Sequence, residues 1–191
     1  MTIPMVKDLS IDGVKLITPT RFEDRRGHFS ETFSRRGFCE AVGIDVRFVQ
    51  DNESLSRSVG TVRGLHLQVG SHSQAKLVRV TAGRALDVVV DLRMDGPSFG
   101  RHVAVELDAA TGSQVWIPKG FAHGFCTLEP NTVVAYKVTS YYDPAADRSL
   151  SWLDRELAID WPIEPSRAVL SDKDAMAPSL AELKEQGLVF Q

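Results

Sequence analysis

The chain has 191 residues, 43% hydrophobic and 25% charged, and its 22 Lys and Arg against 25 Asp and Glu leave a net charge of −3. That size and balance describe one soluble globular domain over residues 1–191 with a substantial core, and argue against a general nucleic-acid binder. Met1 to Lys7 show no basic start followed by an apolar run, and no stretch approaches the roughly 20 apolar residues of a bilayer span, so a cytoplasmic protein without membrane attachment is expected. Cys39 and Cys126 lie far apart without metal-type spacing, which reads as two small buried hydrophobes rather than a disulfide or a zinc site.

In chain order, the first strand-like run is Val14 to Ile17. Phe22 to Phe33 follows and holds Asp24-Arg25-Arg26-Gly27. This is either a charged hairpin turn or part of a ligand site, with Arg26 as a bidentate phosphate contact and Phe29 as a ring to stack on. Ser34 to Val42 reads as a short helix closed by Gly43. Phe48 to Gln50 is a short strand, running into the polar stretch Asp51-Asn52-Glu53-Ser54.

Arg63-Gly64-Leu65-His66-Leu67-Gln68 and Gln74-Ala75-Lys76-Leu77-Val78 set a histidine, an arginine and a lysine in a short, otherwise apolar β-like region, where polar side chains are costly to bury without a task. His66 alone reads as a metal ligand, a general base or a hydrogen-bonded structural histidine. Gly64 permits close approach, Arg63 and Lys76 supply positive charge, and Gln68 and Gln74 add neutral donors and acceptors. Together they describe a ligand pocket.

Further strands are expected at Lys76 to Thr81, Ala85 to Leu92, His102 to Leu107, Gln114 to Ile117 and Val133 to Tyr142, a spacing that reads as an antiparallel barrel or sandwich. In Ala85 to Leu92 the period of two puts Leu86, Val88, Val90 and Leu92 on one face and Asp87, Val89 and Asp91 on the other. A face with two carboxylates is either solvated or points into a polar cavity. After Tyr142 the pattern loosens, and 143–191 reads as an extended segment laid over a barrel of about 11–142, with a capping box at Ser179 and Glu182 opening a last helix that Gly187 ends.

Gly112, Pro118, Gly120 and His123 match the spacing of the second motif of cupin barrels, in which the histidine points inward. Metal-binding cupins carry His-x-His in their first motif. Here the pair is His66 and Gln68, and glutamine replaces an imidazole ligand poorly, so no metal is expected. A base without metal needs a carboxylate to fix its tautomer and an acid elsewhere in the pocket. Ser171-Asp172-Lys173-Asp174 and Tyr136-Lys137 offer both, unless the first is a solvated turn and the second a core tyrosine.

Taken in order, Asp24-x-Arg26-Gly27-x-Phe29-x-Glu31, Gln50-Asp51-Asn52-x-Ser54-x-Ser56, Arg63-Gly64-Leu65-His66-x-Gln68, Gln74 to Val78, Asp87 to Arg93, Ile117 to Phe125, Tyr136-Lys137, Trp161-Pro162 and Ser171-x-Lys173-Asp174 resemble the dTDP-4-dehydrorhamnose 3,5-epimerase family. The resemblance runs from about Ile11 to Pro178. It implies an all-β, cupin-type jelly-roll homodimer with a few short peripheral helices, using no metal and no cofactor, that acts on a dTDP-linked 4-keto-6-deoxy sugar. By the same resemblance His66 is the base, Asp174 its partner, Tyr136 the acid, and Lys76 the stabiliser of the enolate oxygen. Arg26, Phe29, Glu31, Gln50, Asp51, Asn52, Arg63, His123, Asp147 and Lys173 are implied to hold the substrate, Arg26 and Glu31 across the dimer. Asp147 departs from the glutamate common at its position, which puts that contact in doubt. Relatives that invert only C3 or only C5 share nearly all these residues. A metal-dependent cupin enzyme and a non-catalytic sugar-nucleotide binder are the readings from other classes.

Overall fold

The structure, a computed structural model, describes residues 3–190. Among them the strands are β1 (Met5–Asp8), β2 (Lys15–Thr18), β3 (Phe22–Asp24), β4 (Gly27–Phe29), β5 (Gln50–Ser56), β6 (Val62–Gln68), β7 (Lys76–Ala82), β8 (Arg84–Asp91), β9 (His102–Asp108), β10 (Gln114–Ile117), β11 (Phe121–Thr127), β12 (Thr132–Val138) and β13 (Asp147–Ser149). The helices are α1 (Arg35–Val42), α2 (Asp172–Ala175) and α3 (Leu180–Glu185). One sheet has the order β1-β2-β10-β7-β12-β5 and faces a second of order β13-β6-β11-β8-β9, while β3 and β4 form a separate hairpin. Sequence-distant neighbours such as β2 with β10 and β6 with β11 are the crossovers of a jelly roll, so the fold is all-β with short helices at its margins.

Three apolar clusters hold these layers. Between the sheets lie Val78, Val80, Val89, Val115, Phe125 and Val134. On the outer face of the five-stranded sheet, Val62, Leu65, Leu67, Val88, Val90 and Leu92 are covered by Trp152, Leu157, Trp161, Leu180 and Leu183 from the C-terminal segment. The Trp161 indole N–H donates to the Trp152 carbonyl at 2.6 Å, which satisfies the one polar atom that burying the ring brings along. On the outer face of the six-stranded sheet, α1 lays Phe38 against Trp116, with Phe33 and Phe48 completing an edge-to-face cluster.

The strand at Gln114–Ile117 and the helix closed by Gly43 fall where the sequence puts them, as does the capping box of α3. Phe48 is not in a strand. Its ring packs in the aromatic cluster, and the ladder starts at Gln50 because β5 turns Gln50, Asn52, Ser54 and Ser56 inward, a polar face with no apolar alternation to read. The last barrel strand ends at Val138 rather than Tyr142. β13 adds an edge strand beyond residue 142 by pairing with β6. Neither face of β8 is solvated: Asp87 and Asp91 are 1% and 0% exposed. Asp87 meets His123, whereas Asp91 accepts from Arg93 and Ser98 and belongs to the scaffold.

Candidate active site

β6 carries the centre of the site, and its local geometry follows from two glycines. Between the pairs His123 with His66 and Phe125 with Arg63, β6 has one residue more than β11, a bulge at Gly64. On a regular strand Arg63 and His66 would point to opposite faces. The extra residue turns both into the barrel and leaves Leu65 and Leu67 in the outer cluster. Gly64 has φ of 118°, and a Cβ there would lie 2.7 Å from the Gly124 Cα, so only glycine fits both the conformation and the approach. The bulge also frees the Gly64 N–H, which donates to Asp174 Oδ2 at 3.3 Å.

His66 Nε2 lies 2.6 Å from Asp174 Oδ1, across 108 residues of sequence. The backbone of Val169 pairs with Gly60 and Val62, which lays the returning chain beside the start of β6. Ser171 then caps α2, and that single turn delivers Asp174 to the barrel mouth. Burial opposes the Asp174 charge, yet the His66 contact and charge, the Gly64 amide and the Ser171 hydroxyl outweigh it and hold the carboxyl below its ordinary value. An ionised Asp174 accepts from a protonated Nε2 and leaves Nδ1 as the basic nitrogen.

The cavity of about 530 Å³ lies between the sheets and is lined by Arg63, His66, Lys76, His123, Tyr136, Asp147, Lys173 and Asp174, eight of the residues singled out in the sequence. His66 and His123 come from one sheet, Lys76 and Tyr136 from the other. Burial pulls the Lys76 ammonium down to about 8 against the pull of Asp87 and Asp147, and its Nζ sits 3.4 Å from the His66 carbonyl. His123 is likewise held below the ordinary imidazole value by burial, although its Nε2 lies 2.8 Å from Asp87 Oδ2. Burial raises the Tyr136 phenol, so it stays protonated and able to donate. The side chains at the cupin ligand positions have other partners here: His66 has Asp174, His123 has Asp87, and Gln68 has the backbone of Asp143.

Other candidates stand elsewhere in this chain. Arg26 is on the β3–β4 hairpin, paired with Asp24 and 83% exposed, and Phe29 beside it is 70% exposed. Glu31 accepts from Ser34 on the far side of the six-stranded sheet. Asp51 faces outward and pairs with Lys137, while Gln50 and Asn52 bond to each other on the inner face, outside the cavity lining. Asp147 accepts from Lys173 and, at 3.2 Å, from the Tyr142 hydroxyl. Three residues had no role assigned from the sequence. Tyr142 stands at the mouth; among the described residues Ser54, facing the cavity, has a buried hydroxyl without a partner, and Asp87 holds His123 with one oxygen while its other oxygen has none. The polar period of β8 was the available signal for Asp87; Ser54 and Tyr142 lie in runs too polar to stand out.

A histidine with a fixed tautomer and a protonated phenol on facing walls, with a buried cation in the same cavity, suits removing a proton from one face of a carbon acid and returning one to the other. The comparisons with known proteins agree. Residues 8–182 match the family described as dTDP-4-dehydrorhamnose 3,5-epimerase. The dTDP-4-dehydrorhamnose 3,5-epimerase of Sinorhizobium fredii is 51% identical over 177 residues, covering 93% of this chain and 90% of that protein. The crystal structure of the dTDP-6-deoxy-D-glucose-3,5-epimerase of Legionella pneumophila Philadelphia 1, in complex with dTDP-4-keto-L-rhamnose, superposes with a TM-score of 0.92 at 44% identity, covering 98% of each chain. A 3′-monoepimerase from Streptomyces bikiniensis in complex with dTDP-quinovose gives a TM-score of 0.88 at 36% identity, covering 96% of this chain and 91% of its own.

Proposed function

This chain belongs to the dTDP-4-dehydrorhamnose 3,5-epimerase family, and from that premise we infer which residues carry the reaction. The protein is an isomerase that converts dTDP-4-dehydro-6-deoxy-D-glucose to dTDP-4-dehydro-L-rhamnose. The C4 ketone acidifies the hydrogens on C3 and C5, because the electron pair left by either proton delocalises onto the ketone oxygen. His66 takes the proton on Nδ1 while Asp174 stabilises the imidazolium through Nε2–H. Lys76 faces the oxygen on which negative charge appears, and Tyr136 returns a proton from the opposite face. The observation that carries the assignment is that the 2.6 Å His66–Asp174 pair shares one cavity with Tyr136 and Lys76 from the facing sheet.

Arg63, His123, Asp147 and Lys173 hold the sugar nucleotide from the cavity wall, supported by the cationic side chains of Arg63 and Lys173 there for a diphosphate. Arg26, Phe29, Glu31, Gln50, Asp51 and Asn52 complete binding in a homodimer, Arg26 and Glu31 reaching a second copy. What supports this is that the β3–β4 hairpin stands clear of its own barrel with Arg26 and Phe29 exposed. Residues 1–191 act as one domain in the cytoplasm; among the described residues no helix is long and apolar enough to cross a membrane.

The test is turnover in heavy water with product analysis by NMR. Deuterium at both C3 and C5 is the expected outcome. Incorporation at one carbon alone would make the protein a single-centre epimerase, and none at all, with the nucleotide sugar still bound, would make it a binding module.

A further inference from the structure

Four backbone polar groups at the rim of the cavity find their partners in glutamine side chains rather than in a strand ladder. β12 ends at Val138, and the chain crosses to the other sheet through residues 139–146 before β13 begins. On the way the Ser140 carbonyl accepts from Gln74 Nε2 at 2.8 Å, and the Tyr142 N–H donates to Gln50 Oε1 at 3.1 Å. Asp143 donates its N–H to Gln68 Oε1 at 2.9 Å, and its carbonyl accepts from Gln68 Nε2 at 3.0 Å. Gln68 is 4% exposed and lies two residues past His66 on the same face of β6. Its carboxamide carries one donor edge and one acceptor edge, as a peptide group does, so it pairs both backbone groups of one residue as a neighbouring strand would.

The clasped segment carries part of the cavity wall. Tyr142 reaches Asp147 with its hydroxyl, Asp147 accepts from Lys173, and all three line the cavity from the β12–β13 connection to α2. We propose that Gln68 is a positioning residue for ligand binding: by clasping Asp143 it fixes the rim so that the Tyr142, Asp147 and Lys173 side chains border the sugar-nucleotide site. The inference rests on the function proposed above. It also gives a task to the glutamine that stands where a metal-binding cupin would carry an imidazole. Gln68 holds neither proton of the reaction, so its loss acts on affinity rather than on the chemical step.

The test compares the wild type with Gln68→Leu, in which the Asp143 N–H and carbonyl both lose their partner. In steady-state kinetics KM rises about tenfold or more while kcat changes less than about threefold. In hydrogen exchange read by mass spectrometry, the wild-type Asp143 amide is protected, and the variant loses that protection while β6, β11 and the Tyr142 amide held by Gln50 keep theirs. An unchanged KM in the folded variant, or a fall in kcat at unchanged KM, overturns the proposal. Should Gln68→Leu not fold, the wild-type exchange decides: a protected Asp143 amide supports the clasp, and rapid exchange at Asp143 overturns it. If the wild type moves no substrate protons, the proposed function fails, and the exchange experiment still reports on the clasp.

Discussion

In the proposed mechanism His66 gives one ring nitrogen to Asp174 and keeps the other for the substrate, so its removal acts on the transition state and hardly on the nucleotide. His66→Ala is expected to lower kcat by about 10³- to 10⁴-fold while the dissociation constant for dTDP, measured by calorimetry, changes less than about threefold. Near-normal turnover would remove His66 from the role of base. Lys76 makes a pH prediction. Its ammonium is charged below its folded pKa of about 8 and neutral above it, so the stabilisation of the enolate oxygen fades as pH rises through that value. The kcat/KM profile of the free enzyme should fall about tenfold per pH unit above pH ~8. In Lys76→Met this limb should vanish together with about 10²- to 10³-fold of the rate. A limb that persists in Lys76→Met belongs to another group. That His66, Lys76 and Arg63 line one cavity was readable in the sequence because a histidine, a lysine and an arginine amid apolar strand residues need a reason to be there. Ser54 was not, because its meaning is a buried hydroxyl without a partner among the described residues, which is a property of three dimensions.

At the scale of elements, the bulge of β6 decides which side chains meet. Gly64→Ala would force a Cβ to 2.7 Å from the Gly124 Cα and 2.8 Å from the His123 carbonyl oxygen, at a φ that alanine disfavours. A loss of about 2–4 kcal/mol is expected by thermal or urea unfolding, with turnover falling as β6 and β11 part. Gly43→Ala is the control: it sits in a left-handed cap with no atom within 4 Å of the added Cβ, and should cost about 1 kcal/mol with turnover intact. Equal effects would mean that backbone conformation alone, and not the β6–β11 contact, sets the cost. The same elements show what a sequence displays and what it hides. α1 and the cap of α3 carry local signals, an αL glycine and a capping box. β11 is buried on both faces and holds a glycine and a histidine, so it shows no alternation; its identity came from motif spacing alone. β5 hides for the opposite reason, since its inward face is polar.

For the whole molecule, the proposed dimer predicts complementation. If Arg26 serves the site of its partner, Arg26→Ala and His66→Ala each spoil a different contributor to the same site. Mixing the two after dissociation should restore about one quarter of the wild-type rate, because half the dimers are mixed and half their sites are intact. No recovery in mixtures shown by native mass spectrometry to contain mixed dimers would place Arg26 outside the partner's site. The outer apolar cluster explains why the C-terminal segment matters beyond its own contacts: Trp152, Trp161 and Leu183 anchor the stretch that carries α2 to the mouth. That arrangement sets a condition on biosynthesis. Asp174 is 108 residues downstream of His66, and it follows the last strand, which ends at Ser149. A nascent chain emerging from the ribosome can therefore finish every strand of its barrel and still lack the carboxylate that pairs with His66. The appearance of activity in a translation time course should trail the appearance of the folded barrel, by the time needed to make and dock the segment from Leu150 to Asp174.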